Sequence, residues 1–430
     1  MHIYKIAAVA LALCLPCAGH AAPNILLIIA DDMGLDTSRC YAVGDQQANM
    51  PILEQLCAEG LVFDQAYSAP VCSPTRATIM TGKYGFRTGV GGAIPPRGGS
   101  GLSPDEFSLF DALNETEYAS AVVGKWHLAS SPDDLDHPAE MGVTDYFGMI
   151  SGGVRSYYNW QGVENGTRND VDGYTTTVLT DRAINWIGER QTPWFLWLAY
   201  NAPHTPFHVP PRTLYTGENL KDDETAIREN PLPYYNAMLE ALDTEVGRLF
   251  DSMSDETREN TIVIFIGDNG TPGQVSRQLY GARRSKGSIY QGGTAVPMIV
   301  SGPGVEGGRT EALVNTTDLN ATILALAGAD PDGAVSDGID LNTILKGETG
   351  SREFAYVEHF GDGGMPVDVM GWAIRDAQYM LVAPDGDAEQ MFDIANDPLS
   401  QFDLLSATLT PELNQRVLAL RAAYQDLRGD

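Results

Sequence analysis

Positive charge is scarce in this chain. Its 27 lysines and arginines face 57 aspartates and glutamates across 430 residues, a formal net charge of −30. A field of that sign repels phosphate backbones and excludes a general nucleic-acid partner. It also disfavours highly sulfated polymers unless a local basic patch offsets it, and it suits a salty medium that shortens the reach of self-repulsion. The chain also lacks internal repeats, low-complexity tracts and, beyond its first residues, any apolar run long enough to form a transmembrane helix. Cysteine is the third scarcity, with five in all.

What is there begins with a leader. Met1 to Lys5 is short and basic, Ile6 to Leu15 is apolar but too short to span a bilayer comfortably, and Ala18-Gly-His-Ala-Ala22 supplies small residues for cleavage. That order predicts a secretory signal peptide over residues 1–22, cut after Ala21 or Ala22, rather than an uncleaved anchor. Pro16 before Cys17 is a poor match to a lipid-attachment box. The expectation is an exported protein, periplasmic or secreted, soluble and without a membrane partner once the leader is gone. Cys14 and Cys17 leave with the leader, so Cys40, Cys57 and Cys72 remain. An odd number in an exported chain asks for an explanation. If Cys72 is chemically consumed, Cys40 and Cys57 are left either as a pair or as two reduced, half-buried thiols. The second reading is the expectation, because Cys57 falls in a helical pattern.

Asn24 to Ala30 is a continuous apolar run ending in Asp31-Asp32, the pattern of a buried parallel strand with acids at its carboxyl end. Further strands are expected over Ala119–Val123, Pro193–Tyr200, Thr261–Ile266 and Val296–Ser301. Helices are expected over Pro51–Glu59, Ser108–Asn114, Tyr174–Glu189, Tyr234–Met253 and Thr317–Ala327. On the fourth of these, Met238, Ala241, Leu242, Val246, Leu249 and Met253 share a face. This alternation implies an α/β fold: a large mixed, mainly parallel sheet between helices. After about residue 330, shorter runs at Ala355–Glu358, Met370–Ile374, Tyr379–Ala383 and Gln390–Phe392 read as a small antiparallel sheet. A last helix follows, capped by Thr410 with Pro411 at its first position. The expected organisation is a catalytic domain over 23–335 and a smaller α+β domain over 336–430. Ligands of such sheets collect outside the carboxyl ends of the strands, where Asp31-Asp32 and Asp268-Asn269 both fall.

The sharpest motif is Cys72-Ser-Pro-Thr-Arg76-Ala-Thr-Ile-Met-Thr-Gly82-Lys83. It resembles the signature of the type I, formylglycine-dependent sulfatases of the alkaline phosphatase superfamily: Cys-x-Pro-x-Arg, then Thr-Gly-Lys or Thr-Gly-Arg. Gly124-Lys125-Trp126-His127 is similar to the family's second signature, at the end of a strand. Asn201-Ala-Pro-His204-Thr-Pro looks like its Pro-His-x-Pro stretch. Lys286-Gly-Ser-Ile-Tyr290-Gln291-Gly-Gly293-Thr294-Ala-Val-Pro297 follows its Lys…Glu-Gly-Gly…Arg-Val-Pro element, with Gln291 and Thr294 departing from the usual Glu and Arg. Met391-Phe-Asp393…Asp397-Pro398 resembles its closing element.

The resemblance implies that Cys72 is oxidised to formylglycine by a formylglycine-generating enzyme during maturation. The hydrated aldehyde then offers one hydroxyl to attack sulfur, giving a covalent sulfo-enzyme, and a second whose deprotonation expels sulfate. It implies one calcium ion on Asp31, Asp32, Asp268, Asn269 and residue 72, although these oxygen donors would also suit magnesium. It casts Arg76 as the group that holds the formylglycine loop, Lys125, His204 and Lys286 as sulfate binders, and His127 as a proton acceptor. His204 and Lys286 also serve the leaving group. The reaction implied is hydrolysis of sulfate monoesters, either small aryl sulfates or carbohydrate sulfates. Phosphonate monoester and phosphodiester hydrolases of the superfamily replace one metal ligand by Gln and the late Asp-Asn by Asp-His, so Asp32 and Asn269 favour a sulfatase. An unconverted Cys72 would leave a non-catalytic sulfate-ester binder. Arg97, Arg155, Arg168, Arg283, Arg284 and His359 are candidates for a substrate rim, and His208 is expected to be a loop residue.

Overall fold

In the computed structural model, residues 22–217, 219–330, 336–350, 352–361 and 369–429 are described. Apart from Ala22, the expected signal peptide lies outside them. The large sheet is built from β1 (Asn24–Ala30), β2 (Leu61–Tyr67), β3 (Ala119–Lys125), β4 (Tyr146–Met149), β5 (Asn159–Glu164), β6 (Thr167–Asp172), β7 (Trp194–Tyr200), β8 (Thr261–Gly267), β9 (Met298–Ser301) and β10 (Gly308–Asn315). They lie in the order β10-β2-β9-β8-β1-β7-β3-β4-β5-β6. At its centre β8, β1, β7, β3 and β4 are mutually parallel neighbours, while β9 runs antiparallel between β2 and β8. The sheet is therefore mixed and mainly parallel, as expected.

The strands are apolar throughout because both faces are covered. On β1, Leu26, Ile28 and Ala30 enter one core layer, with Leu53, Leu56, Leu179, Ala183, Met238 and Leu242 from three helices. Ile25, Leu27 and Ile29 enter the other, against Ala77, Ile79, Met80, Leu319 and Ile323. The helices at Pro51–Glu59 and Thr317–Ala327 have the expected bounds, and the two long ones run over Thr175–Gly188 and Leu232–Asp251. Strands β2 and β10, the hairpin β5–β6 and the Cys72–Thr81 helix were not among the expected elements.

The smaller sheet is antiparallel, in the order β11 (Ala355–His359), β12 (Gly371–Arg375), β13 (Tyr379–Pro384) and β14 (Gln390–Asp393). Val417 and Leu420 of the Pro411–Arg428 helix pack onto it with Tyr84, Ile374 and Leu381. Thr410 caps that helix, its hydroxyl accepting from the Leu413 amide at 3.2 Å. Arg375 joins the two sheets: buried, it donates to the Tyr67 hydroxyl and, at 2.9 Å, to Gln65.

One expectation is corrected. Cys40 and Cys57 are not reduced thiols but a disulfide, with Cα atoms 6.2 Å apart. The Pro51–Glu59 helix turns Cys57 toward the loop that follows β1, which brings Cys40 within bridging range.

Candidate active site

Five adjacent parallel strands end on one edge, and each delivers chemistry there. Asp31 and Asp32 follow β1, Asp268 and Asn269 follow β8, and His204 lies four residues past β7. Lys125 closes β3, with His127 just beyond. The Ile150–Gly153 segment follows β4. The register that aligns Ala30 with both Tyr200 and Gly267 brings the first three ends level. Cys72 comes from the side, at the first turn of a helix whose N-cap is Val71. The Cys72–Thr81 helix is buried along its whole length, Arg76 included.

The structure brings together the acids, cations and histidines that the motifs proposed for the site. The Cys72 sulfur lies 3.2 Å from Asp31 Oδ1, 3.9 Å from Asp32 Oδ1 and 3.8 Å from Lys286 Nζ. Around it the acids and cations pair one to one: Lys125 with Asp31 at 2.6 Å, Lys286 with Asp32 at 2.5 Å, and Arg76 with Asp268 at 2.8 Å. Arg76 also donates to the Lys125 carbonyl at 2.6 Å, tying the Cys72 helix to the end of β3. Asn269 donates to Asp32 Oδ1 at 2.8 Å, and the Asp32 amide donates to Asp268 Oδ1 at 3.0 Å. His204 Nε2 stands 3.9 Å from Asp32 Oδ2. Asp32 and His127 hold φ of 73° and 57°, in the left-handed region that non-glycine residues occupy at a cost.

Burial sets the protonation states and charge then corrects them. It raises the Asp32 carboxyl, but Lys286, His204 and Lys125 more than reverse this and hold it below the usual carboxylate range. Burial and then Asp31 push Asp268 up to about 6, against Arg76 and Lys125. Burial lowers Lys286, yet Asp32 and the other acids leave it raised and protonated. The Cys72 thiol is driven far up by burial, then by Asp268 and Asp31. As a cysteine, residue 72 is thus a poor nucleophile, because thiolate reactivity needs a lowered pKa.

The histidines are neutral for the same reason. Burial, then Lys125, takes His127 well below its ordinary value, and burial takes His204 to about 3 with Asp32 only partly opposing. His127 Nε2 lies 3.0 Å from the Ile94 carbonyl, and His204 Nδ1 lies 2.7 Å from the Thr205 carbonyl. A carbonyl only accepts, so those nitrogens carry the protons. His127 Nδ1 and His204 Nε2 are left as the free lone pairs.

The residues fit a hard divalent cation. Asp31, Asp32, Cys72 and His204 offer ligand atoms within 4.8 Å of one another. Asp268 adds a third buried carboxylate, and the Asn269 side-chain oxygen is buried with no hydrogen-bond partner. An orphaned carbonyl oxygen among carboxylates is a cost unless a cation uses it.

Two contributors escaped the sequence reading. One is the Ile94 carbonyl, which has no residue-type signature. The other is Gly152-Gly153: a Cβ at Gly152 would fall on the His127 ring, and one at Gly153 would sit 3.4 Å from His204. A glycine pair three residues past the end of a parallel strand was the available signal. Gln291 accepts from the Tyr67 hydroxyl at 3.1 Å and Thr294 bonds the Tyr290 carbonyl at 3.0 Å, so neither departure touches the Cys72 cluster. Among the rim candidates, His359 is buried, Arg168 pairs with Asp133 at 2.9 Å, and Arg284 donates to the Ser400 carbonyl.

Comparison with known proteins agrees with this geometry. The sulfatase family model matches residues 23–329. N-acetylgalactosamine-6-sulfatase of Canis lupus familiaris is 32% identical over 373 residues, covering 78% of this chain and 68% of the relative. Arylsulfatase A of Homo sapiens is 28% identical over 467 residues, covering 93% and 87%. The solved structure of Ps i-CgsB in complex with k-i-k-neocarrahexaose superposes with a TM-score of 0.76 at 28% identity, covering 90% of this chain and 89% of that one. The structure of BT4656 in complex with its substrate D-glucosamine-2-N,6-O-disulfate has the same fold, with a TM-score of 0.78 at 20% identity, covering 94% and 98%.

Proposed function

This chain belongs to the sulfatase family, and from that premise we propose that it hydrolyses sulfate monoesters with residue 72, as formylglycine, for its nucleophile and one divalent ion, calcium, beside it. The observation that carries the reading is the one-to-one pairing of three buried acids with three buried cations around a thiol too basic to act as a thiolate. Such a site is neutral as it stands. A dication on the acids frees the cations for a sulfate monoester, whose single negative charge offsets half of the ion's, and an ionised hydroxyl on residue 72 would offset the rest.

The roles of the side chains follow. Asp31, Asp32, Asp268 and the Asn269 oxygen hold the ion. Lys125 and Lys286, released from their carboxylates, bind the sulfate oxygens as fixed positive charges in a water-poor site. Held by a protonated Nε2, the His127 ring has Nδ1 available to take a proton from residue 72. Lys286 keeps its proton across the working pH range and is placed to neutralise the departing alkoxide, assisted by His204 once an anion in the site raises its affinity for protons. Arg76 positions residue 72 through Asp268 and the Lys125 carbonyl. An aldehyde hydrate at residue 72, polarised by the ion, would supply the attacking hydroxyl that a buried thiol does not.

Small aryl sulfates and carbohydrate sulfates are the substrate classes, and a formylglycine-generating enzyme is the partner needed in maturation. Export is supported by the leader and by the Cys40–Cys57 disulfide, a bond favoured in oxidising compartments. No helix among the described residues is long and apolar enough to cross a membrane. The test is the intact mass of protein made in its own host together with its rate on 4-nitrophenyl sulfate. Conversion of Cys72 lowers the mass by about 18 Da, and turnover should track the converted fraction. Full turnover by unconverted protein would overturn the assignment of residue 72.

A further inference from the structure

The segment between β4 and β5 spans the distance between the two site histidines. At its start the His127 amide donates to the Ile150 carbonyl at 3.1 Å. Gly152 then lies against the His127 ring and Gly153 against the His204 ring. At its far end the Tyr157 hydroxyl sits 2.8 and 2.6 Å from the Asn201 and His204 carbonyls. Arg155 is therefore bracketed, two residues on either side, by residues that touch His204. Chain geometry keeps its Cα within about 7 Å of both.

Arg155 is exposed and makes no hydrogen bond or ion pair with any described residue. In a chain with 57 acids for 27 bases, Arg155 is a guanidinium without a partner among the described residues. Arg97 and Arg283 are also exposed and unpaired there, but of the three only Arg155 is flanked on both sides by residues that touch His204. Arg168 and Arg284 are already engaged elsewhere. Asp222 acts on Tyr158 and His208 from nearby but does not pair with Arg155. Three residues along, Tyr158 is 39% exposed. Its hydroxyl is fixed on the Val209 carbonyl at 2.6 Å and its ring is backed by Tyr174 at 5.3 Å, which leaves an aromatic edge at the rim.

We infer that Arg155 is a specificity-determining residue on the leaving-group side: it binds a second anionic group, sulfate or carboxylate, on a saccharide whose ring lies along Tyr158. This rests on the sulfatase reading and deepens it. The guanidinium fork matches either oxyanion, and an unpaired arginine has no internal bond to break before it binds one. The local positive charge also answers the difficulty that a chain of charge −30 poses for a polyanionic substrate.

The experiment measures competitive inhibition of 4-nitrophenyl sulfate hydrolysis by matched pairs of saccharide sulfates. Within each pair the members differ only by a second sulfate or only by a carboxylate. For wild type, at least one pair should show inhibition about tenfold tighter for the dianionic member. Which pair does so tells sulfate from carboxylate. Arg155→Ala should erase that ratio and Arg155→Lys should retain part of it. Lys346→Ala, which removes an exposed cation beyond the short Asn342–Leu345 helix, should leave the ratio in place. The kcat of each variant on 4-nitrophenyl sulfate reports whether the site is assembled. The inference is overturned if no pair is discriminated, if Arg155→Ala keeps the discrimination, or if Lys346→Ala loses it equally. Absence of any 4-nitrophenyl sulfate turnover by converted wild type would instead overturn the sulfatase reading itself.

Discussion

His127 donates its Nε2–H to the carbonyl of Ile94, 3.0 Å away, and so keeps a bare Nδ1 buried with no hydrogen-bond partner. A backbone carbonyl with no choice but to accept fixes the tautomer, and burial, then Lys125, keeps the ring from charging. The ring is thereby a neutral group with a free lone pair, the state the proposed proton acceptor needs.

The first prediction concerns that base. His127→Ala should lower kcat by about 10² to 10⁴ while bound metal stays unchanged, since the ring is not among the ion's ligands. The check is steady-state kinetics on 4-nitrophenyl sulfate beside metal analysis of the same preparation. A variant that loses its metal would move His127 from proton transfer to structure.

Much of this site was legible in the sequence because each motif falls where a buried strand stops. Asp31-Asp32, Lys125–His127 and Asp268-Asn269 each follow an apolar run, and parallel strands can only bring those ends together. The Cys40–Cys57 bridge was not legible, since it depends on how a helix turns against a loop. The β5–β6 hairpin was missed although Asn165-Gly166 sits at its tip with φ of 44° and 78°, a turn signal passed over among polar residues. Strand β2 was missed because Leu61-Val-Phe is followed by half-buried Asp64 and Gln65, which break the apolar run. Gln65 points to Arg375, a partner more than three hundred residues away.

The second prediction concerns the metal. Chelation should suppress turnover, and calcium should restore it. Because the ion would bind folded and not unfolded chains, calcium at a hundred times its dissociation constant should stabilise the protein by about 2.7 kcal/mol. In a thermal scan this is a rise in Tm of about 3 to 5 °C. Asn269→Ala removes the orphaned oxygen and with it the amide donor to Asp32 Oδ1, so it should weaken calcium and also lower the stability of the chelated protein by about 1 kcal/mol. Identical melting with chelator and with calcium would count against the donor set.

The third prediction concerns the bridge. Cys40 and Cys57 are 17 positions apart, a loop whose closure is worth about 3 kcal/mol in the unfolded chain. Replacing both by serine should lower the denaturation midpoint accordingly and leave the cluster around residue 72 assembled, as read by turnover. Mass analysis of exported protein under non-reducing conditions gives the direct check. Two free thiols there, about 2 Da heavier than the bridged form, would rule the bond out.

The last prediction concerns pH and a half-buried carboxyl outside the cluster. Burial raises Asp36 to about 6, although hydrogen bonds from Thr271, its own amide and Tyr280 act against that. Both hydroxyls, at 2.7 and 3.3 Å, are donated to Oδ1, so an asparagine can keep the same acceptor. The sign follows from linkage. The folded chain holds this proton more tightly than the unfolded chain, whose carboxyl titrates near 3.8. Stability from the protonated group is complete below that value and is lost as pH rises through about 6. Above it the folded protein carries a partly desolvated charge, a penalty of about 1 to 2 kcal/mol after allowing for solvent screening. Asp36→Asn removes the charge and keeps the bond. It should therefore match wild type near pH 4 and exceed it by that amount at pH 8, measured as the difference in urea unfolding free energy between the two proteins. A difference that is constant with pH, or that grows toward acid, would show that Asp36 is ionised at no cost in the fold.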